Sequence, residues 1–386
     1  LKKKILILTS RVGRGHVSAS QAVVEILEKD YQIVVGNFMK EVLSKYDIFS
    51  LLTRKKHTAE DVYCFFVKIG MNRVANFIYQ ATLKVLQWSF FRQYFVNNAI
   101  KYFQKTKPDL IISVIGYVNY RVAEAAEKLS IPFIIIPTDL DQTIASCGFE
   151  KKFSPKVFSS LNYAISCKDN LILKTLKNVN IPEKQIHEIG FPLRSQFFEK
   201  KDINHLKKKW KVPHDKKVIC LLLGSIVNRW TYTMVKTICG LKEPYHIIVY
   251  VNHNTSLKKT IEKFQKTSSC SLTIIPFINE ISDIMAISDL LIIKPGSNTF
   301  VESFTLKKPI IIDLIHRVSL KIEEFNCRFL KEKKLGFVVK KKKEIINILN
   351  HWPETIDPLN TSDLDFSQFS KKLLSLIKKS LKQQYQ

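Results

Sequence analysis

Acidic residues are scarce in this chain of 386 residues: 34 Asp and Glu stand against 61 Lys and Arg, a formal net charge of +27. A charge of that size concerns partners rather than fold, and it points to nucleic acid, anionic lipid or anionic small substrates. Cysteine patterning is also lacking. Cys64, Cys147, Cys167, Cys220, Cys239, Cys270 and Cys327 are dispersed, with no CxxC pair and no clustered histidines. An odd, scattered set excludes a zinc site or disulfide framework as the organising feature and predicts reduced thiols. No apolar run approaches the roughly 20 residues that cross a bilayer. Lys2-Lys3-Lys4 followed by Ile5-Leu6-Ile7-Leu8 has the start of a secretion signal. Arg11, Arg14 and His16 interrupt it and no small-residue cleavage site follows, so it reads as a first buried strand.

What is present is a two-domain α/β pattern. The length suits two domains, and 46% hydrophobic residues suffice for two cores. Short apolar runs at 5–9, 33–35, 110–114 and 133–136 read as strands covered on both faces. Residues 18–29 have helical spacing, with Ala19, Ala22, Val23, Ile26 and Leu27 on one face. Gly190-Phe191-Pro192 and the charged stretch 199–217 mark a boundary. A second series follows, with strands expected at 218–223, 246–250, 272–275, 290–293 and 310–313. A last helix carries Phe369, Leu373, Leu376 and Ile377 on one face and Lys371, Lys372, Lys378, Lys379 and Lys382 elsewhere. The expected domains are 1–198, 199–362 and a basic amphipathic helix at 363–386. No internal repeat is visible.

Between Asp61 and Asp109 there is no acidic residue, while aromatic rings alternate with Lys and Arg. Such a segment is either a core-packed helical insertion with a basic outer face or an interfacial element lying on anionic lipid. Trp88, Phe90, Phe91 and Arg92 are the candidate membrane contacts. Basic residues with aromatics also bind single-stranded nucleic acid, but no compact nucleic-acid motif accompanies them, and no nucleic-acid partner is expected.

Two motifs carry chemistry. Gly13-Arg14-Gly15-His16 lies between a strand and a helix, where glycines admit a ligand and helix N–H groups offer positive potential. A dinucleotide site wants a third glycine near Ser18 and an acid after the second strand, which runs instead into Gly36-Asn37. No GxxxxGK[ST] run occurs, so P-loop chemistry is excluded. His16 is either a helix-start histidine or a base that the helix terminus keeps neutral. The second motif is Lys294-Pro295-Gly296-Ser297-Asn298-Thr299 with Glu302, after an apolar strand and opening a helix. Backbone N–H groups of Ser297, Asn298 and Thr299 suit a phosphate, and Glu302 suits ribose hydroxyls. The plainer reading is a glycine turn with a glutamate favoured by the helix dipole.

The order of further motifs resembles a known family, the glycosyltransferases that include monogalactosyldiacylglycerol synthases and bacterial diacylglycerol glucosyltransferases, relatives of the lipid-II-forming peptidoglycan transferase. The motifs are Gly13-x-Gly15-His16, Pro137-Thr138-Asp139, Asn162-Tyr163-Ala164-Ile165, Gly190-x-Pro192-x-Arg194, Leu223-Gly224-Ser225, Asn254 with Leu257, Pro276-Phe277, Lys294-Pro295-Gly296 and Glu323-Glu324-Phe325-Asn326. The resemblance implies a GT-B fold: two Rossmann-like domains with a cleft between them and a C-terminal helix. It implies an inverting transfer of galactose or glucose from a UDP-sugar to diacylglycerol, with no metal or other cofactor, by a peripheral protein on the cytoplasmic face of an anionic membrane. His16 falls on the family's base and Asp139 on an aspartate near the acceptor. Gly13, Gly15, Gly224, Ser225, Asn254, Phe277, Lys294, Gly296, Ser297, Asn298, Thr299, Glu302, Glu323 and Asn326 fall on or beside its UDP-sugar site.

There are departures. Ser225-Ile226 stands where the family prefers glycine, Val251-Asn252 where it has Cys-Gly, and Lys321-Ile322 where it often has Gly-Gln, which helps recognise the sugar. Asp139-Leu140-Asp141 and Asp363-Leu364-Asp365 spell the Asp-x-Asp of metal-dependent transferases of another fold, a tripeptide common by chance. Three alternatives stand beside the lipid hexosyltransferase: the lipid-II-forming transferase, a UDP-N-acetylglucosamine 2-epimerase, and a non-catalytic membrane or nucleic-acid binder.

Overall fold

The computed structural model describes the chain except for residues 1, 11–13, 44–56, 70, 72–73, 76, 79–80, 82–88, 117, 141–157, 169, 225–228, 242–244, 316–322, 358, 360–364 and 384–386. Two compact units divide it. The first comprises Leu1–Phe66, Arg73–Arg194 and Asp365–Gln386, the second Val67–Asn72 and Ser195–Leu364.

Each unit is built on a six-stranded sheet. In the first, β1 (Lys4–Thr9), β2 (Gln32–Asn37), β3 (Leu110–Ser113), β4 (Phe133–Ile135), β5 (Leu161–Ile165) and β6 (Ile186–Glu188) lie in the order β2-β1-β3-β4-β5-β6. In the second, β7 (Val218–Leu222), β8 (His246–Asn252), β9 (Ser271–Pro276), β10 (Leu290–Ile293), β11 (Ile310–Asp313) and β12 (Gly336–Val339) lie in the order β12-β11-β10-β7-β8-β9. All the pairings are parallel. Parallel strands need crossovers, and helices that supply them cover both faces of the sheet. The strands are accordingly continuous apolar runs: Ile5, Leu6, Ile7 and Leu8 are wholly buried, as are Leu290, Leu291, Ile292 and Ile293.

Strand order reverses once in each sheet. β1 has β2 on one side and β3 on the other; β7 has β8 on one side and β10 on the other. Such switch points are where open α/β sheets bind ligands, outside the carboxyl ends of the strands. At the opposite, amino edge the two sheets share a lock that the sequence does not reveal as a repeat. Asp109, just before β3, accepts the Lys4 N–H through Oδ2 at 2.7 Å and donates its own N–H to Lys4 O at 2.8 Å. Asp289, just before β10, does the same with Val218, at 2.7 and 2.8 Å. Each aspartate therefore ties together the two strands that flank the switch point. Burial opposes the charge on Asp109, but the Lys4 N–H and the Lys3 ammonium at 2.9 Å outweigh it and hold its carboxyl below the ordinary value.

The helix Phe369–Gln383 returns to the first unit. Its apolar stripe, Phe369, Leu373, Leu376 and Ile377, is buried among Ile5, Ile7, Ala19, Val23, Leu27, Ala164 and Ile189. Burial of side chains of this size is worth about 1.5–3 kcal/mol each. Gly190 has φ +96°, where a side chain is strained, and it sits against Phe366 and Phe369. Asn162 Nδ2 donates to Ser380 Oγ at 3.1 Å, and His187 Nε2 lies 2.8 Å from Asn162 Oδ1.

Three expectations need revision. The first helix spans Arg14–Leu27, so Gly15 and His16 lie in its first turn rather than in the loop before it. Gly36 lies inside β2, where any Cβ would collide with the Tyr102 hydroxyl; the glycine admits the helix Ser89–Thr106. The thiols are not all reduced: Cys239, closing the helix Arg229–Cys239, is bonded to Cys270, just before β9, with Cα atoms 5.5 Å apart. Sequence spacing hides this pair because two β–helix crossovers, not proximity in the chain, bring it together. Cys64, Cys167, Cys220 and Cys327 are not disulfide-bonded, and burial pushes the Cys220 thiol up to about 12; Cys147 lies outside the described residues.

Candidate active site

In the first unit, the carboxyl ends of three adjacent strands converge on His16. The helix that carries it is tied to the end of β1, with Thr9 Oγ1 donating to His16 O at 3.1 Å. The His16 ring crosses the switch point: its Nδ1 lies 2.8 Å from the carbonyl oxygen of Val114, which follows β3. Thr138 Oγ1, which follows β4, lies 2.9 Å from the same nitrogen. A carbonyl oxygen only accepts, so the Nδ1 proton must point to it, and the ring lone pair belongs to Nε2. The proton on Nδ1 stays in place whether the ring is neutral or charged. A base acting through Nε2 therefore needs no rearrangement of its support.

The support is itself fixed. Ser113 Oγ donates to Asn119 Oδ1 at 2.7 Å and Asn119 Nδ2 donates to Ile115 O at 2.8 Å, all buried. This pins the turn after β3 that presents the Val114 carbonyl. Asp139, half-buried, is the immediate neighbour of Thr138. Gly13 and Asp141 lie outside the described residues.

In the second unit, the expected nucleotide residues gather at the carboxyl edge, around the switch point between β7 and β10. Gly224, after β7, has φ +101°, and a Cβ on it would come within 2.9 Å of Lys294 Cδ. A Cβ on Gly296 would come within 2.9 Å of Lys294 Cε. The missing side chains of two glycines thus make the channel through which the Lys294 side chain runs. Gly296 is the N-cap of the helix Ser297–Thr305, so the ammonium lies beside a helix N-terminus. Like charge is placed beside like potential there, an arrangement that an anion relieves.

Asn326 holds this turn from behind. Fully buried, it donates from Nδ2 to Pro295 O at 2.8 Å and to Ser297 Oγ at 3.0 Å, while its Oδ1 has no partner among the described residues. Ser297 is buried, and Asn298 and Thr299 are half-buried in the first turn. Glu302 lies in the second turn and is buried. Glu323, half-buried, precedes the helix Glu324–Glu332.

The neighbouring strand ends carry the remaining residues. Asn254 caps the helix Thr255–Thr267 by accepting the Leu257 N–H at 2.9 Å, which engages the side-chain oxygen. Asn252 has φ 53°, a left-handed conformation that asparagine and glycine tolerate; this accounts for asparagine where the family has glycine. The His253 and Phe277 rings stack, centroids 4.7 Å apart, at the ends of β8 and β9. Ser225 and Trp88 lie outside the described residues. Phe90, Phe91 and Arg92 belong to the helix Ser89–Thr106, with side chains outside the description. The sequence reading missed Val114, Thr138 and the role of Asn326; Thr138 was visible only as the middle of Pro137-Thr138-Asp139.

Each sheet has one switch point, and the candidate residues of each unit gather there. The chain aligns structurally with MurG of Acinetobacter baumannii at a TM-score of 0.60, covering 98% of this chain and 99% of the other at 14% identity. It aligns with Staphylococcus aureus MnaA, solved with UDP, at a TM-score of 0.59, covering 99% and 97% at 13% identity. The fold is GT-B. In sequence, the chain is similar to a processive diacylglycerol beta-glucosyltransferase of Staphylococcus haemolyticus, 26% identical over 353 residues, 90% of this chain and 84% of that protein. A Bacillus licheniformis protein of the same name is 23% identical over 387 residues, 97% of this chain and 91% of its own. The lipid-A-disaccharide synthetase family model matches residues 180–320. The GT-B chain thus resembles, across most of its length, the same lipid glycosyltransferases that its motif order indicates.

Proposed function

We propose that this chain is an inverting glycosyltransferase that moves a glucosyl group from a UDP-sugar to diacylglycerol at a membrane surface. The observation that carries the reading is His16, fixed through Nδ1 by Val114 O and Thr138 at the switch point of the first sheet. Its Nε2 takes the proton of the lipid hydroxyl while that oxygen attacks the anomeric carbon. The bond from that carbon to the UDP oxygen breaks and UDP leaves with its electron pair, so the centre inverts. General-base action of this kind contributes typically about 10²–10⁴-fold. The leaving diphosphate is received by the N–H groups of Ser297, Asn298 and Thr299 and by Lys294, dipoles and charge oriented in advance. Glu302 binds the ribose, and the stacked His253 and Phe277 border the base.

Glucose, rather than galactose, follows the names of the similar proteins. A membrane role for the segment 62–108 is supported by the exposed apolar side chains in and near it, Phe65, Ile69, Met71, Phe77 and Tyr94, with Phe77 74% exposed. Among the described residues no helix is long and apolar enough to cross a membrane, so contact would be peripheral. The test is to incubate the purified chain with diacylglycerol in neutral detergent micelles and UDP-glucose, UDP-galactose or UDP-N-acetylglucosamine. The expected product is glucosyldiacylglycerol with inverted configuration. Glycosylation of none of the lipid, or release of a free epimerised sugar, would contradict the reading.

A further inference from the structure

The lysines of the last helix form one continuous face. At about 100° per residue, Lys378, Lys371, Lys382, Lys379 and Lys372 fall within an arc of about 120°. All five are exposed, whereas Phe369, Leu373, Leu376, Ile377 and Ser380 on the opposite side are buried. The face runs about 17 Å along the axis. No acidic residue follows Asp365 in the sequence. The carboxylate of Asp365 is engaged by the Ser367 N–H and hydroxyl at 2.8 and 2.9 Å. None of the five lysines enters an ion pair among the described residues.

Solvation alone does not account for this face. A solvated helix gains from mixed charges at i,i+4, whereas here Lys378 and Lys382 repel at that spacing. The helix dipole favours Lys378, Lys379 and Lys382 near the carboxyl end, but it opposes Lys371 and Lys372, which stand in a first turn with no acid. The helix cannot slide to relieve the repulsion, because its other side is locked into the first unit's core and Ser380 is bonded to Asn162.

We propose that Lys371, Lys372, Lys378, Lys379 and Lys382 form a docking surface for an anionic lipid bilayer, holding the first unit against the membrane by charge. The choice of partner rests on the lipid-acceptor reading above; the geometry of the face does not. A bilayer fits better than a nucleic-acid strand because, among the described residues, the face has no exposed ring on which bases would stack. Each lysine near an anionic surface multiplies partitioning about fivefold, the equivalent of ~1 kcal/mol.

The test is co-sedimentation of the full chain with vesicles of phosphatidylcholine alone or mixed with phosphatidylglycerol. The lipid face is changed by Lys371→Gln, Lys372→Gln, Lys378→Gln, Lys379→Gln and Lys382→Gln together. A control with the same net charge changes Lys259, Lys263, Lys266, Lys342 and Lys343 of the second unit to Gln, all exposed. Circular dichroism melts check that both are folded. The expected result is at least a hundredfold loss of binding to anionic vesicles for the first variant, under threefold for the control, and loss for wild type in high salt. Equal losses in both variants, or retention in the first, would overturn the proposal. So would loss of single-stranded oligonucleotide binding with vesicle binding intact. Turnover in neutral micelles should be the same for wild type and the first variant. Absence of turnover in wild type would count against the transferase reading and leave the vesicle result standing.

Discussion

A single ring nitrogen joins the carboxyl ends of two strands in the first unit. His16 Nδ1 is held by two oxygens, a backbone carbonyl and a hydroxyl, neither of which carries full charge. Removing the hydroxyl withdraws one acceptor from the Nδ1 proton and so weakens the charged form of the ring. Thr138→Val should therefore lower kcat about tenfold, within the range of one hydrogen bond, and move the acid limb of the pH–rate profile to lower pH. Thr138→Ser should restore both; a profile that does not move would reduce Thr138 to a packing residue. On the donor side, Glu302→Ala should weaken UDP at least about tenfold by calorimetry, the value of a charge-assisted hydrogen bond. An unchanged affinity would remove Glu302 from the nucleotide site. The sequence made His16 and Lys294-Pro295-Gly296 legible because strand–glycine–helix junctions are local patterns. It could not show Val114, whose contribution is a main-chain carbonyl 98 residues away. Nor could it show what Asn326 holds, since Pro295 and Ser297 lie about 30 residues upstream.

At the scale of elements, apolar runs announced the central strands, since a strand buried on both faces has no alternation to confuse with loop. The edge strands β6 and β12 were not legible: Ile186-His187-Glu188 is mostly polar, and β12 opens at Gly336. Gly336 is needed because a Cβ there would collide with Ile310 O on the neighbouring strand. The paired aspartate locks were invisible for another reason: Asp109 and Asp289 share a structural place but almost no flanking sequence beyond the apolar strand. Asp109→Asn and Asp289→Asn should each destabilise their own unit by about 1–2 kcal/mol in urea, and combining them should be additive because they lie in separate units.

At the scale of the whole molecule, stability should depend on pH through His246. Burial, then Lys216 and Lys207, depress its value from 6.5 to about 4, and it bridges β8 to β9 through Ser271 at 2.8 Å and Thr273 at 3.0 Å. The unfolded chain binds this proton more readily, so the contribution is present above about pH 6.5 and is lost as pH falls towards about 4. Urea unfolding should show a slope of at most about 1.4 kcal/mol per pH unit in that window, and His246→Gln should flatten it. The two-unit division was legible from length and from the charged stretch before the second strand series. The return of the last helix to the first core was not, because an amphipathic stripe says only that one face is covered and not by what.

If His16 is the base for the lipid hydroxyl, removing its ring stops turnover and leaves donor binding intact. The most direct measurement is glucosyldiacylglycerol formation by wild type and His16→Ala in neutral micelles, paired with calorimetric titration of UDP into both. For the base role of His16 the expected result is a loss of turnover of about 10²-fold or more with UDP affinity unchanged within about twofold. Turnover that survives the substitution, or a parallel collapse of UDP binding, would contradict it.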